Sequence, residues 1–133
     1  MEELATILIK DLKDIATART FVRNFAKELG FSTLDQTRII TVVSELARNL
    51  YLYAQHGQII LYKHQSLSQT GIRIYAADSG PGIADLQKVM EIGYSTSGGL
   101  GAGLPGVKSI MDEFSISSSS EEGTRINTVK WLR

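Results

Sequence analysis

The sequence predicts an α+β two-layer sandwich with a mostly antiparallel sheet, and three observations lead there. Residues 14–54 carry apolar side chains at helical spacing, while residues 57–78 and 114–132 change to short, β-branched runs. Those runs come in pairs joined by short polar turns, so strands pair as hairpins and the helices stand apart from them in the chain. A length of 133 residues with 43% apolar and 21% charged residues is the profile of one ordinary soluble domain with a real core.

The elements follow in order. Residues 4–10 (LATILIK) are short, apolar and β-branched, and read as a strand. Asp14 then offers an N-cap to the helical stretch IATARTFVRNFAKEL, which Gly30 closes. A second helix starts near Ser32 or Thr33 and runs to about Ala54, with Ile39, Val42, Val43, Leu46, Leu50 and Tyr53 on one broad apolar face. GQIILYKH and GIRIYAAD form two strands joined by the turn QSLSQT, and the second strand stops at Asp78-Ser79-Gly80-Pro81-Gly82. A short helix over about ADLQKVMEI leads into the glycine-rich run STSGGLGAGLPG at 95–106. A further helix, from about Leu104 to Phe114, leaves that run with Pro105 in its first turn. Two final strands, about FSISSS and TRINTVKWL, flank the turn SEEG.

Charge and composition exclude several functions. Fourteen Lys plus Arg balance fourteen Asp plus Glu, so no net field attracts nucleic acid or an anionic membrane. There is no cysteine, hence no disulfide, thiol nucleophile or thiolate metal site, and His56 and His64 are too isolated to suggest zinc. The N-terminus carries acids where a signal peptide needs a basic region, and no apolar run approaches the roughly 20 residues of a membrane span. A single cytoplasmic domain over 1–133 is the expectation.

Gly101-Ala102-Gly103-Leu104-Pro105-Gly106 satisfies G-x-G-x-x-G, the dinucleotide fingerprint, but the context fails it. That motif needs a buried strand directly before it and an acid about 20 residues later, whereas EIGYSTSG is no strand and the acids at 121 and 122 fall in a turn. A P-loop fails as well, since no Lys-Ser or Lys-Thr follows a suitable glycine. Two readings of the run stay open: a flexible loop, or backbone amides beside a helix N-terminus that bed a phosphate.

Two other stretches bear on that choice. Glu45 and Asn49 stand four apart on the second helix; with Glu45 at zero on the wheel, Asn49 falls about 40° round and the apolar centre near 110°. The pair therefore borders the buried stripe, either as a solvated edge with Glu45 paired to Arg48 or as a polar site. Asp78, followed by alternate glycines at a strand end, is either a plain turn or a carboxylate acceptor for an exocyclic amine beside backbone that a flat ring can approach.

Together, Glu45-x-x-x-Asn49, Asp78-x-Gly80-x-Gly82, the run Gly98 to Gly106 and Gly123-Thr124 resemble, in order, the motifs of the GHKL ATPase/kinase superfamily. KELGF, SELARNLYLYA, GYSTSGGLGAGLPGVKSIMDEF and the ending KWLR resemble its RsbT-type serine/threonine-protein kinases, switch proteins of bacterial stressosomes. The resemblance implies a Bergerat ATP-binding fold: a mostly antiparallel mixed sheet covered by helices on one face, with ATP between helices and sheet. It implies that Asp78 accepts from adenine N6, with Gly80, Gly82 and Thr124 supporting that end, and that Asn49 coordinates Mg²⁺. It makes 98–103 (Gly98, Gly99, Leu100, Gly101, Ala102, Gly103) the phosphate lid, with Ser95, Thr96 and Ser97 as hydroxyl donors.

Phosphoryl transfer needs positioning, charge neutralisation and a group that orients or deprotonates the nucleophile. Glu45, one turn before Asn49, is the candidate for that last role. Neither histidine sits in a helical autophosphorylation context, so the acceptor is expected on another protein. By resemblance it is a serine or threonine of a STAS-domain antagonist or scaffold protein of a stressosome, and the released kinase activates a PP2C-type phosphatase. An anti-sigma factor kinase that sequesters a sigma subunit is the rival, and an ATP-binding module without transfer activity the third reading.

Overall fold

The computed structural model of the 133-residue chain describes residues 1–53, 57–78, 103–119 and 123–133. Strand β1 (Glu2–Ile9) is followed by helices α1 (Leu12–Leu29) and α2 (Thr33–Tyr53), then by strands β2 (Gly57–Gln65) and β3 (Thr70–Asp78). Helix α3 (Gly103–Ile110) and strands β4 (Glu113–Ser119) and β5 (Gly123–Trp131) complete the described chain. The five strands form one sheet in the order β1-β2-β3-β5-β4, with every neighbouring pair antiparallel. Both hairpins predicted from the turn-rich segments are present, and β5 sits between β3 and β4. The short helix expected near 84–92 and the turn after β4 fall outside the described residues.

The N-cap of helix α1 lies three residues earlier than predicted. Asp11, in extended backbone, is the N-cap, and Asp14 is the third helical residue. The Asp14 carboxylate reaches back to accept the backbone N–H groups of Asp11 and Lys10, both at 2.9 Å. An acid at this position serves the helix start as well as a cap does, because it satisfies orphan donors and faces the positive end of the dipole. Those two backbone hydrogen bonds hold the Asp14 carboxyl below its usual pKa. A depressed carboxylate stabilises the fold above its unfolded pKa of about 3.9 and loses that contribution as pH falls through the folded value. Asp14→Asn is therefore expected to flatten the acid limb of a thermal-stability profile below about pH 4; an unchanged limb would show that the contact carries no linkage.

At the other end of α1, Gly30 turns left-handed at φ 98°. Its N–H donates to Lys27 O at 3.1 Å and that of Phe31 to Ala26 O at 3.0 Å, a Schellman closure. Ser32 then caps α2, its Oγ accepting the Asp35 N–H at 3.1 Å.

The core lies between the helices and one face of the sheet. Ile15, Ala18, Val22 and Ala26 of α1 recur three or four apart, and Ile39, Val42, Val43, Leu46 and Leu50 of α2 are all buried as their spacing predicts. They meet alternate strand residues, among them Ile7, Ile59, Leu61, Ile72, Ile74 and Ile126. Each such side chain contributes about 1.5–3 kcal/mol through burial.

Helix α3 stops at Ile110, four residues before its predicted end. Asp112 is captured by the end of β5: its N–H donates to Val129 O at 2.9 Å, and its carboxylate accepts from Trp131 N–H at 2.7 Å and the Arg133 guanidinium at 2.8 Å. Lys130 also donates to Ile110 O at 3.0 Å, on the last turn of α3. These long-range bonds turn the chain out of the helix and into β4. Among the described residues, no helix is long and apolar enough to cross a membrane.

Candidate functional site

The sheet register decides which polar residues share a space. Ala76 is buried against the helices, and alternation puts Asp78, two residues on, on the same face at the end of β3. Thr124, two before buried Ile126, belongs to that face of β5, and Ser118 is its partner on β4. Helix α2 comes to the same end of the sheet: a Cβ built on Gly57, the cross-strand partner of Asp78, would lie 2.7 Å from Leu50 Cδ2. Leu50 follows Asn49 directly.

At the sheet end the contacts are specific. Asp78 Oδ1 accepts the Thr124 N–H at 3.2 Å, and the hydroxyls of Thr124 and Ser118 are 2.8 Å apart. Gly123 makes this possible. It holds φ at +78°, and an added Cβ would collide with the Asp78 carbonyl and lie 2.8 Å from Asp78 Oδ1. The terminal Gly-Thr pair thus wraps the acid at the end of the central strand.

On α2 the structure departs from the wheel. Glu45 does not border the buried stripe; it is 2% exposed and among the fully buried side chains. Its Oε1 pairs with Arg48 at 3.3 Å, the i+3 contact expected of a solvated edge, but the edge is not solvated. Its Oε2 is buried with no hydrogen-bond partner among the described residues. Leaving a buried acceptor unmatched costs about 1–3 kcal/mol, and more when it is charged. Such an atom calls for an explanation, and function is a common one. Asn49, a turn further on, is half-buried.

Of the glycine-rich run, Gly103 is described: it opens α3 at φ 67°, with Leu104 and Val107 buried and α3 packed on α2. Gly80, Gly82, Ser95, Thr96, Ser97, Gly98, Gly99, Leu100, Gly101 and Ala102 lie outside the described residues. Ser118 is the neighbour that sequence reasoning missed; its one signal is its place in the FSISSS run, opposite Thr124 once the last hairpin is registered. Among the described residues, no three His, Asp or Glu side chains gather to hold a metal ion.

A helix-covered antiparallel sheet with an acid wrapped at one end, facing a helix that buries a carboxylate half-paired among the described residues, fits a nucleotide-handling ATPase or kinase module. Residues 8–130 match the family model of the histidine kinase-like ATPase domain. The chain belongs to that family and, within it, to the RsbT-type serine/threonine-protein kinases of partner-switching stress responses. It is 56% identical over 133 residues to the serine/threonine-protein kinase RsbT of Bacillus subtilis, covering 100% of both chains. It is 33% identical over 120 residues to the anti-sigma F factor of Bacillus licheniformis, covering 86% of this chain and 82% of that one. The solved RsbU and RsbW domains of a Mycobacterium tuberculosis protein superpose with a TM-score of 0.66 over 98% of this chain and 33% of that one. At 15% identity that likeness speaks to the fold alone.

Proposed function

We propose that residues 1–133 form one cytoplasmic ATP-binding kinase domain that transfers the γ-phosphate of ATP to a serine or threonine of a STAS-domain antagonist, within a stressosome. Once released from that partner, it binds and activates a PP2C-type phosphatase. The observation that carries the reading is Glu45 Oε2, a buried carboxylate oxygen without a hydrogen-bond partner among the described residues, one helical turn before Asn49. It accepts the proton of the attacking hydroxyl as that oxygen bonds to the γ-phosphorus and the bond to the β-phosphate oxygen breaks, releasing ADP.

The remaining roles are those that the family resemblance implies. Asp78 takes a hydrogen bond from the adenine amine, with Gly80, Gly82 and Thr124 supporting the ring. Gly98, Gly99, Leu100, Gly101, Ala102 and Gly103 form the lid over the phosphates, and Ser95, Thr96 and Ser97 supply hydroxyls. Asn49 would offer an oxygen to Mg²⁺, one helical turn from the Glu45 carboxylate, whose Oε1 pairs with Arg48. When bound, such an ion would neutralise phosphate charge.

Incubation with Mg-ATP and a STAS-domain partner should place phosphate on serine or threonine of that partner. No transfer would leave an inert nucleotide-binding module. Asp78→Asn should weaken ATP binding roughly 10–100-fold, the worth of a hydrogen bond to a charged group, as read by calorimetry; unchanged affinity would remove Asp78 from the adenine end. The second reading, an anti-sigma factor kinase, is favoured by the 33% identity to anti-sigma F factor. The 56% identity to RsbT over the whole length outweighs it. Pull-down with a purified sigma subunit against a purified PP2C-type phosphatase decides between them.

A further inference from the structure

Among the described residues the Glu45 side chain has one polar partner, Arg48, whose Nη1 donates to Oε1 at 3.3 Å. On the helical wheel Arg48 lies about 60° from Glu45 on the side away from the apolar centre, and Asn49 about 40° toward it. The guanidinium therefore comes at the carboxylate from the solvent side: the Arg48 side chain is 32% exposed and that of Glu45 3%. A buried carboxylate is costly without a paired cation, so the contact matters more here than on an open surface.

The contact also tells apart two oxygens that are chemically alike. The last torsion of a glutamate is broad and roughly two-fold, so the side chain does not itself select the oxygen it presents. With Oε1 held by Arg48, Oε2 is the one left to accept a proton. Helix α2 carries the same i+3 spacing a second time, at Asp35 and Arg38, which pair at 3.2 Å with side chains 21% and 48% exposed. An exposed pair of that kind contributes little. The two pairs share spacing and helix, and differ in depth and in what lies beside them.

We infer that Arg48 is a positioning residue for phosphoryl transfer: by holding Oε1 it fixes the plane of the Glu45 carboxylate and turns Oε2 to the attacking hydroxyl. This role rests on that of Glu45 as base under Proposed function. Arg48 has a further interaction besides this one, so its effect through Glu45 is isolated by a double-mutant cycle.

The test measures ATP affinity, and steady-state transfer from Mg-ATP to a STAS-domain partner, for Arg48→Met, Arg48→Lys, Glu45→Gln and the double variant Glu45→Gln/Arg48→Met. Arg48→Met should lower kcat roughly 10–100-fold, the scale of a misplaced reacting group, with KM for both substrates and ATP affinity within about twofold. Retained ATP affinity shows that the variant has folded. Arg48→Ala, which admits water to the stranded carboxylate, gives the same reading if Arg48→Met does not fold. Arg48→Lys returns a cation at the same spacing, and a single contact does not need the guanidinium fork, so transfer should recover to within about fivefold of wild type. The double variant should match Glu45→Gln alone, because without the carboxylate Arg48 has nothing to orient. Arg38→Met, at the exposed pair, should transfer within about twofold of wild type.

A full rate in Arg48→Met or Arg48→Ala beside a slow Glu45→Gln would overturn the inference alone. So would a double variant slower than Glu45→Gln, a weakened ATP complex in the Arg48 variants, or no recovery with lysine. A wild type that transfers nothing, or Glu45→Gln at the full rate, would overturn the reading under Proposed function and the role of Arg48 with it.

Discussion

Replacing Glu45 by Gln is expected to lower phosphoryl transfer by about 10²–10⁴-fold, the usual worth of a positioned general base, while ATP binding stays as in the wild type. Gln keeps the shape of a side chain that is 2% exposed, so the packing between α2 and the core persists. What disappears is a carboxylate with one oxygen on Arg48 and the other unmatched among the described residues. Burying that charge opposes folding, so the variant should melt at the same temperature or higher even as it loses activity. That opposition separates a catalytic role from a structural one: a structural acid would lose stability and keep the chemistry. Undiminished transfer from Glu45→Gln in a single-turnover assay would remove Glu45 from the mechanism.

Gly123→Ala is expected to cost stability and nucleotide affinity together. The backbone at φ +78° is strained for alanine, by about 1–3 kcal/mol, and the new methyl collides with the carbonyl of Asp78. Relief requires β5 to move off β3 at the point where Thr124 N–H holds the Asp78 carboxylate. Urea denaturation should give a lower midpoint with an unchanged slope, and calorimetry a weaker ATP complex. Gly30→Ala is the control. It too strains a left-handed position, at φ 98°, but among the described residues a Cβ there meets only Leu132, 4.0 Å away, so it should lose stability and keep ATP affinity. Matched ATP affinity in the two variants would show that Gly123 serves the fold alone.

Much of the fold was legible because its signals are local. The apolar spacing of α2, the glycine that ends α1, the serine before α2 and the turn between β2 and β3 each act within a few residues, and all stand where the pattern places them. The errors are of two kinds. Asp11 and Asp14 both suit a helix start, and composition does not say which holds the extended backbone. The sequence pattern carries α3 past its true end at Ile110 because Met111 and Asp112 continue an acceptable helix. The bonds that stop them come from Val129 and Trp131 at the far end of the chain.

The candidate site divides in the same way. Glu45, Asn49, Asp78 and the Gly-Thr pair stand out as candidates through the order in which their motifs resemble those of the GHKL superfamily, each motif being weak when taken singly. Their relation to one another does not stand out in this way. Alternation along a strand is a property of the sequence, so the shared face of Ala76 and Asp78 was already implied. The pairing of Ser118 with Thr124, the approach of Leu50 to Gly57 and the burial of Glu45 depend on segments tens of residues apart. Helix spacing, caps and turns were set by the sequence itself, because their energies come from neighbours along the chain. Which carboxylate ends up buried and half-paired was decided only by tertiary packing, because desolvation depends on everything folded around it.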